Sequence, residues 1–318
     1  MTGDCPTPEC PICSVPGQFV FSGGDIFYEV TKEQVDLYRC SLRGCLFQWP
    51  VPDAEAVAGF YPSGYWREEK SNEGWLSSLQ RRYVDWMLGW DLMRWISRLQ
   101  LPKEARVLDV GCSRGDWLAR IRAKGYRVAG LEADARAADY ARRVYGLAVS
   151  EVGAEDWSPM PASFEAITFF HLLEHLREPA RFLARCHQAL TPDGKLLLRV
   201  PNIHSWQAHL TGRRWKGLEL PRHLVLFSPQ SLSAFLEQNG FAVERLDTWS
   251  LRDGPPAMTS SLFPRGEPTR QVVLGRHHPF STLIYLLLTW VLTPWERLAA
   301  WCGRGSMITV IARRLPPD

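Results

Sequence analysis

The sequence lacks a strong charge of either sign and a recognisable leader. Its net charge of +3 over 318 residues gives no basic field that would favour duplex nucleic acid as a partner. Residues 1–7 show neither the basic start nor the apolar run of a secretory signal, so we expect a cytoplasmic protein. With 46% apolar and 22% charged residues, the composition excludes a largely disordered, collagenous or coiled-coil chain. The length predicts about two globular domains.

The chain also lacks an apolar run long enough to cross a bilayer. Residues 280–295 carry no charge, but they fall short of the roughly 20 residues that a spanning helix needs, and Pro294 interrupts them. Aromatic side chains lie within and after the run, among them Trp290 and Trp301. We therefore expect segment 280–301 to make a peripheral contact with the inner face of a membrane. Packing in the core or in a homodimer is the alternative.

Cysteines are concentrated near the start of the chain. Five of the eight lie within the first 45 residues, at Cys5, Cys10, Cys13, Cys40 and Cys45. Cys10-x2-Cys13 and Cys40-x4-Cys45 have the paired form of a tetrahedral zinc site, and a reducing compartment disfavours disulfides. Four thiolates leave zinc no open position, so we expect a structural metal. Cys5 could replace one ligand, and five unligated thiols are the alternative.

The rest of the sequence alternates between β and α patterns. Apolar periodicity predicts strands over residues 106–110, 127–131, 147–152, 164–170, 195–200, 241–247 and 307–313. It predicts helices over residues 116–124, 135–145, 179–190 and 229–239, and a long loop over 201–227. This order predicts an α/β fold: a Rossmann-like, mainly parallel seven-stranded sheet with helices on both faces and ligands beyond the carboxyl ends of its strands.

Composition and motifs divide the sequence into five parts. We predict a zinc-ribbon-like knuckle segment over 1–52, an aromatic helical linker over 53–104, a core over 105–250, a hydrophobic insertion over 251–306 and the last core strand over 307–318. Within the linker, Leu79, Tyr83, Trp86 and Trp90 recur at helical spacing. This spacing favours an amphipathic helix packed on the core over a platform for stacking bases.

A glycine-containing turn joins the first core strand to its helix. The motif is Asp109-x-Gly111-x-Ser113-x-Gly115, and Glu132 ends the next strand about 20 residues later. The glycines allow a ligand to approach the backbone, and Glu132 is placed to accept hydrogen bonds from two ribose hydroxyls. The acid before the first glycine would repel a pyrophosphate but not the cationic methionine moiety of S-adenosylmethionine. The pattern therefore indicates a cofactor that contains a nucleoside.

These residues resemble the class I S-adenosylmethionine-dependent methyltransferases over about 105–250. Ser113 replaces the middle glycine of the family motif, and the string Leu190-Thr-Pro-Asp-Gly-Lys195 is similar to the family's turn before a strand. Ala154-Glu155-Asp156 falls on its adenine-edge segment, and His171-Leu-Leu-Glu-His-Leu176 on the segment after the fourth strand. The resemblance implies S-adenosylmethionine as the cofactor, bound by Asp109, Gly111, Ser113, Gly115, Glu132, Ala133, Glu155, Asp156 and His171.

A narrower resemblance is to a bacterial subgroup related to the ubiquinone O-methyltransferases and to cell-envelope methyltransferases. It rests on Pro201-Asn202, on Trp215-Lys-Gly-Leu-Glu-Leu-Pro-Arg-His-Leu224 and on Phe227-Ser228. Many members also carry an N-terminal cysteine knuckle and an aromatic linker such as Tyr61-Pro62 and Tyr65-Trp66 here. The substrates of this subgroup are mostly unassigned, so the likeness defines the fold more sharply than the reaction. We expect a small-molecule or lipid-linked acceptor, with O-methylation as the favoured reaction.

Three histidines are candidate catalytic residues. A hydroxyl acceptor must lose its proton to a base, and histidine suits that role near neutral pH. His171 and His175 follow the carboxyl end of a predicted strand, and His223 lies in the loop expected to cover it. A structural role for each histidine is the alternative. Arg222 could hold a carboxylate or phosphate of the substrate, or form a structural salt bridge.

The spacing His171-x-x-Glu174-His175 also has the residue types of a metal site. Its context argues against a zinc-protease motif, whose ligands share one helical face. A magnesium-dependent mode, as in RNA 3′-terminal 2′-O-methyltransferases with a similar glutamate and histidine cluster, is an alternative.

Methyl transfer to a small-molecule or lipid-linked acceptor is the function that the sequence favours. A non-catalytic binding module with the same fold is one rival, although the intact Asp109, Gly111 and Glu132 argue against it. An RNA methyltransferase is the other, but the sequence shows no clear basic run beyond pairs such as Arg213-Arg214. The sequence does not decide whether the acceptor atom is oxygen, nitrogen or carbon.

Overall fold

The computed structural model of the protein describes residues 8–61, 89–276 and 278–316. The predicted features at Cys5, Pro62, Tyr65, Trp66, Leu79, Tyr83 and Trp86 lie outside these residues. The strands are β1 (Gly17–Gly24), β2 (Gln34–Cys40), β3 (Leu46–Trp49), β4 (Arg106–Val110), β5 (Arg127–Glu132), β6 (Val149–Glu151), β7 (Phe164–Phe170), β8 (Leu190–Pro201), β9 (Val225–Leu226), β10 (Phe241–Asp247) and β11 (Met307–Arg314).

The helices alternate with the core strands and then dominate the insertion. They are α1 (Ala54–Gly59), α2 (described over 89–98), α3 (Asp116–Arg122), α4 (Ala135–Tyr145), α5 (Pro179–Ala189), α6 (Trp206–Thr211), α7 (Pro229–Gln238), α8 (Gly254–Leu262), α9 (Pro268–Val273) and α10 (Pro279–Trp301).

Seven strands form the central sheet in the order β10-β11-β8-β7-β4-β5-β6. Strands β4 to β8 pair in parallel, whereas β11 runs antiparallel to β8 and β10 on its two sides. Two parallel neighbours, β4 and β7, lie at the centre of the sheet, so their carboxyl ends meet at one edge. The predicted fold class is confirmed.

Successive residues of β4 show why helices cover both faces of this sheet. Side chains alternate along a strand, so Val107 and Leu108 lie on opposite faces. Val107 packs in one cluster with Trp95 of α2, and Leu108 packs in another with Phe182 of α5 and Phe235 of α7. Both residues are buried. An uninterrupted apolar strand is therefore stable only between two helical layers.

A second, four-stranded sheet joins the N-terminal segment to the core. Its order is β1-β2-β3-β9, and all of its pairings are antiparallel. Strand β9 comes from the predicted core, where Val225 pairs with Phe47 and Leu226 with Leu46. The boundaries that we predicted between the five parts stay predictions, but the first and third parts share this sheet.

The segment over residues 201–227 is not the loop that the sequence predicts. It contains α6, two short 3-10 turns and β9. Trp215 and Leu218 are buried against Leu37 and Leu46 of the second sheet. The backbone is irregular in this segment, so its apolar residues recur at neither the strand period nor the helix period. Periodicity therefore does not predict that they are buried.

The apolar run of the insertion forms one continuous helix, α10, and the predicted interruption at Pro294 is wrong. Proline removes one helical hydrogen bond, but Pro294 is exposed and water can replace that bond. The buried face of α10 packs on α8, where the Thr289 hydroxyl donates to the Thr259 hydroxyl at 3.1 Å. Within the described ranges, we find no helix with both the length and the apolar character needed to cross a membrane.

Candidate functional site

The turn between β4 and α3 exposes backbone at the carboxyl edge of the sheet. Gly111, Ser113 and Gly115 have φ values of 72°, 50° and 79°, in the left-handed region that glycine adopts at little cost. A Cβ atom at Gly111 would have Leu172 Cδ1 as its closest neighbour, at 3.6 Å, so a ligand can approach this backbone. At Gly115 a Cβ would lie 2.6 Å from Leu147 Cδ1, so packing requires that glycine.

Glu132 stabilises this turn from the end of the neighbouring strand. The backbone N–H groups of Ser113 and Asp134 donate to its two carboxylate oxygens at 2.7 and 2.9 Å. Burial raises the pKa of Glu132, and these two hydrogen bonds oppose that effect. A carboxylate oxygen accepts more than one hydrogen bond, so Glu132 can also accept from two ribose hydroxyls.

Asp109 is buried beneath the same turn. The Thr168 hydroxyl donates to its carboxylate at 2.6 Å. Burial nevertheless raises the pKa of Asp109 to about 7. A cation bound above the turn would favour the ionised form of this acid.

The predicted adenine-edge residues follow β6, the strand beside Glu132. The Glu155 carboxylate accepts a hydrogen bond from the Glu178 N–H at 2.7 Å, at the start of α5. Asp156 and Ala133 are exposed near the same edge of the sheet. Their contacts with a cofactor stay a prediction.

His171 follows β7 directly and lies between two carboxylates. Its Nδ1 is 3.4 Å from Glu174 Oε1, and its Nε2 is 3.4 Å from Asp253 Oδ2. Burial disfavours the imidazolium, but Asp253 and Glu174 outweigh it and raise the pKa of His171 to about 9. At neutral pH this histidine is protonated, so it cannot act as a base in this state. Its catalytic role stays a prediction, which this charge environment disfavours.

Glu174, His175 and His223 form a compact cluster beside His171. One potential ligand atom from each residue lies within 4.8 Å of the other two, and the rings of His175 and His223 are 4.6 Å apart. The His223 Nδ1 lies 2.8 Å from the Gly217 carbonyl oxygen. Burial and the neighbouring His175 lower the pKa of His223 to about 4, so its imidazole is neutral at pH 7.

Three of the four predicted zinc ligands, Cys10, Cys40 and Cys45, have Sγ atoms within 4.8 Å of one another, and Cys13 lies beside Cys40. The Sγ atoms of Cys10 and Cys45 are 3.7 Å apart, and those of Cys13 and Cys40 are 3.4 Å apart. Ligands on one tetrahedral zinc with bonds of about 2.3 Å lie at a similar separation. The Cys45 thiol contact lowers the pKa of Cys10 to about 5, so Cys10 readily supplies a thiolate. The Arg43 N–H also donates to Cys40 Sγ at 3.2 Å.

A protein-family model described as a methyltransferase domain matches residues 81–246, just over half of the chain. The chain belongs to this methyltransferase family. It is an S-adenosylmethionine-dependent methyltransferase of class I, related to the ubiquinone-type enzymes. The site fits that cofactor, because an open glycine turn, a buried acid and a ribose-accepting carboxylate meet at one edge of the sheet.

Two curated relatives share the name ubiquinone biosynthesis O-methyltransferase. That of Thiobacillus denitrificans is 27% identical over 166 residues, which make up 48% of this chain and 72% of that protein. That of Pseudomonas aeruginosa strain UCBPP-PA14 is 29% identical over 116 residues, 35% of this chain and 50% of that protein. The methyltransferase thus spans only half of the second relative, and neither name assigns an acceptor to it.

A solved structure shows the same fold. It is a complex between the Haloferax volcanii Trm112 methyltransferase activator and a methyltransferase. One chain of it matches with a TM-score of 0.52 and 14% identity, over 77% of this chain and 96% of that chain. At this identity the likeness concerns the fold alone.

Sequence reasoning missed one charged network next to the site. Arg199 of β8 is fully buried and donates through Nη1 to Asp91 at 2.7 Å and to Asp253 at 2.8 Å. Asp253 in turn faces His171. The signal was present, because Arg199 is a charged residue inside an apolar strand and such a residue needs a buried partner.

Arg222 has a structural role in the methyltransferase. Its guanidinium donates to both oxygens of the buried Asp25, at 3.0 and 3.1 Å, and to the Phe60 carbonyl oxygen at 3.0 Å. The salt bridge that the sequence left as an alternative is therefore the one observed, and this guanidinium is not directed at a substrate.

Proposed function

We propose that this methyltransferase transfers a methyl group to a hydroxyl oxygen of a small, lipid-linked acceptor. The observation that carries the proposal is the cluster of Glu174, His175 and His223, which lies beside the cofactor turn and contains a neutral, buried histidine. An amine acceptor needs no such group once its nitrogen is unprotonated, whereas a hydroxyl must lose a proton. The printed names of two relatives, both O-methyltransferases, support the same choice.

The bound cofactor supplies an electrophilic methyl group on its sulfonium sulfur. The protein contributes mainly position and local charge. In the proposal, Glu132 holds the ribose, the backbone at Gly111 lies against the methionine moiety, and Asp109 balances its positive charge. The Leu172 side chain borders the open space above Gly111. In the proposal, the acceptor therefore approaches the methyl group along the segment that carries Leu172 and His175.

The other two predicted catalytic histidines differ from His171 in their charge environment. His171 lies 3.4 Å from one carboxylate oxygen of Glu174 and 3.4 Å from one of Asp253, and these acids raise its pKa to about 9. His175 and His223 also lie beside Glu174, and His223 is neutral at pH 7. We place the acceptor oxygen against these two histidines, where its proton is lost.

The surface of α10 supports a lipid-linked acceptor. We name its exposed apolar side chains the α10 stripe: Phe280, Leu283, Leu287, Trp290, Val291, Leu298 and Trp301. Their spacing of three and four residues places them on one side of the helix. Trp290 and Trp301 are 72% and 85% exposed, which is unusual for tryptophan in a packed protein.

The charges around the α10 stripe favour an anionic membrane over a second copy of the chain. Arg265, Arg276 and Arg304 are exposed within the insertion, whereas its acids are half-buried, as Asp253 is, or buried, as Glu267 and Glu296 are. An apolar helix face with a basic border is typical of helices that lie in the interface of anionic bilayers. Two copies of such a surface would repel each other at their borders.

We also propose that Cys10, Cys13, Cys40 and Cys45 hold a structural zinc ion. It would join the turn before β1 to the turn between β2 and β3, and β3 pairs with β9. Because β9 begins two residues after His223, the zinc segment would help to position Glu174, His175 and His223.

The acceptor proposal is tested with labelled S-adenosylmethionine and extracted bacterial membrane lipids in anionic vesicles. We expect label in the organic phase and a product whose mass spectrum shows an O-methyl group. Label confined to water-soluble molecules, or an N-methyl product, would contradict the proposal.

The membrane contact is tested by sedimentation with phosphatidylglycerol vesicles. We expect the double variant Leu287→Ser, Trp290→Ser to partition at least tenfold less than the unchanged protein, because each side chain loses apolar burial. Met160→Ser removes an exposed apolar side chain elsewhere and serves as the control. An unchanged partition of the double variant, or a stable dimer that covers the stripe, would refute the membrane contact.

A further inference from the structure

We infer that a cleft between the second sheet, α6 and the turn after α10 binds the diphosphate group of an organic ligand. Arg39 and Arg304 line this cleft, which we name the basic cleft. Its volume is about 570 Å³, enough for a small organic molecule. Among the described residues that line it, none belongs to the cofactor turn or to the cysteine cluster. Methyl transfer does not require such a site, so it goes beyond the proposed function.

The charged side chains of the basic cleft all have the same sign. Arg39 and Arg304 line it together with His204 and His209, and its described lining residues include no acid. In the described part of the chain, the side-chain hydrogen bonds of both arginines go to the backbone. Arg39 donates to the Gly44 carbonyl oxygen at 3.4 Å, and Arg304 to the His204 carbonyl oxygen at 3.2 Å. A guanidinium has five N–H donors, so both arginines keep donors for an anion.

The environment of His204 shows that these positive charges act on one place. Its imidazole is half-buried. Burial and the positive charges of Arg304 and Arg39 lower the pKa of His204, and a hydrogen bond with Gln230 opposes them. An anion bound among these groups would favour the charged imidazole and reverse the shift. His204 is therefore a natural reporter of an anion in the basic cleft.

The backbone holds the two arginines in place before any ligand binds. Arg39 lies in β2, which pairs with β1 on one side and β3 on the other. The Arg304 N–H donates to the Ala299 carbonyl oxygen at 2.7 Å, and the Arg304 carbonyl oxygen accepts from the Trp206 N–H at 3.0 Å. These bonds join the end of α10 to the start of α6. A site that is already organised loses less entropy when its ligand binds.

Aromatic side chains extend the basic cleft beyond what a phosphate ion needs. Phe21 and Trp206 line it beside the basic residues, and the Arg213 guanidinium carbon lies 4.9 Å from the centre of the Phe21 ring. A carboxylate would balance only one of the two lining arginines. A diphosphate ester carries more than one negative charge, can bind guanidiniums in a bidentate manner, and brings an organic group to the aromatic wall. This chemistry fits both the charge and the size of the cleft.

Two kinds of molecule carry this chemistry, a lipid diphosphate and a nucleoside diphosphate. The Trp206 ring centre lies 6.0 Å from that of Trp295 on α10, and α10 ends at Trp301, three residues before Arg304. The basic cleft therefore adjoins the end of the helix that carries the α10 stripe, which favours a lipid. A nucleotide would instead stack its base on the aromatic wall.

Calorimetry tests the site with inorganic pyrophosphate, geranyl diphosphate and uridine diphosphate on the full chain purified without chelator. We expect one bound molecule per chain. Arg304→Ala and Arg39→Gln should each weaken pyrophosphate binding about tenfold, because each removes charge-assisted hydrogen bonds. Arg276→Ala removes an exposed arginine of the same insertion outside the cleft and should leave the affinity unchanged. Tighter binding of geranyl diphosphate than of uridine diphosphate would identify a lipid, and the reverse order a nucleotide.

Proton NMR of the imidazole signals locates the bound anion. The His204 signal is identified by its absence in His204→Gln. We expect pyrophosphate to raise the pKa of His204 in the unchanged protein and to raise it less in Arg304→Ala. The unfolding temperature of each variant checks the fold.

Three results would overturn the inference. The first is that none of the three compounds binds at millimolar concentration. The second is that Arg304→Ala and Arg39→Gln both bind pyrophosphate as well as the unchanged protein does. The third is that pyrophosphate binds but the pKa of His204 does not change.

Discussion

Asp25 and Arg222 form a fully buried ion pair with two hydrogen bonds of 3.0 and 3.1 Å. Asp25 lies after β1 in the second sheet, and Arg222 precedes His223, which lies beside Glu174 and His175. The Arg222 carbonyl also lies 3.0 Å from His175 Nδ1. This pair therefore joins the N-terminal segment to the residues that we place around the acceptor.

Asp25→Ala should destabilise the protein and reduce its activity. Removing one partner of a buried ion pair leaves the other charge unpaired, and we expect the free energy of unfolding to fall by about 3 to 5 kcal/mol. Asp139→Ala breaks the exposed pair with Arg143 and should cost less than about 1 kcal/mol. Urea denaturation measures both values, and equal losses in the two variants would show that the buried pair has no special role.

Ser113→Gly should stabilise the protein. Ser113 has a φ of 50°, which glycine adopts without the steric cost that a Cβ imposes. We expect a gain of about 1 kcal/mol in the free energy of unfolding, with no loss of cofactor affinity, because the contact with Glu132 uses the backbone N–H. Ser113→Ala keeps the Cβ and should leave stability almost unchanged. A glycine variant that is less stable than the alanine variant would contradict this explanation.

Asp109 should make stability depend on pH. Burial raises its pKa from 3.8 to about 7 in the folded protein, so the folded state holds this proton more tightly than the unfolded state. The contribution of Asp109 is therefore fully present below pH 4 and is lost as the pH rises to about 7. We expect Asp109→Asn to become progressively more stable relative to the unchanged protein over this range. A difference in unfolding free energy that does not vary with pH would show that Asp109 does not titrate there.

Protein purified without chelator should contain one zinc ion per chain at the cysteine cluster. Cys40→Ser removes a ligand, and we expect the zinc content to fall below half and the protein to unfold at a lower temperature. Cys302→Ser changes an exposed cysteine outside the cluster and should keep its zinc. Elemental analysis decides the point, and unchanged protein without bound zinc would contradict the structural-metal proposal.

The sequence predicted the central sheet well because its evidence is local. Strand β10 is observed over the residues predicted for it, and Glu132 ends β5 as expected. These strands follow from apolar periodicity and from turn residues at their ends. The Cys10-x2-Cys13 and Cys40-x4-Cys45 pairs are likewise recognised within short stretches of sequence.

Contacts between distant segments were harder to predict. The pairing of β9 with β3 and the contact of Asp25 with Arg222 depend on which segments meet in space, and periodicity carries no such information. The continuity of α10 through Pro294 depends on the exposure of this residue in the folded chain, which the sequence does not reveal. The protonated state of His171 likewise depends on Asp253, about 80 residues away.

Calorimetry of S-adenosylhomocysteine binding tests the central claim, that the turn at Gly111 and the Glu132 carboxylate form the cofactor site of a methyltransferase. We expect saturable binding of one ligand per chain by the unchanged protein. Glu132→Ala should weaken it by about 1.5 to 3 kcal/mol, the loss typical of hydrogen bonds to a charged acceptor. Glu151→Ala, which changes the exposed residue paired with Glu132 on β6, should bind normally. Absence of binding to the unchanged protein, or equal affinity in Glu132→Ala, would contradict the account.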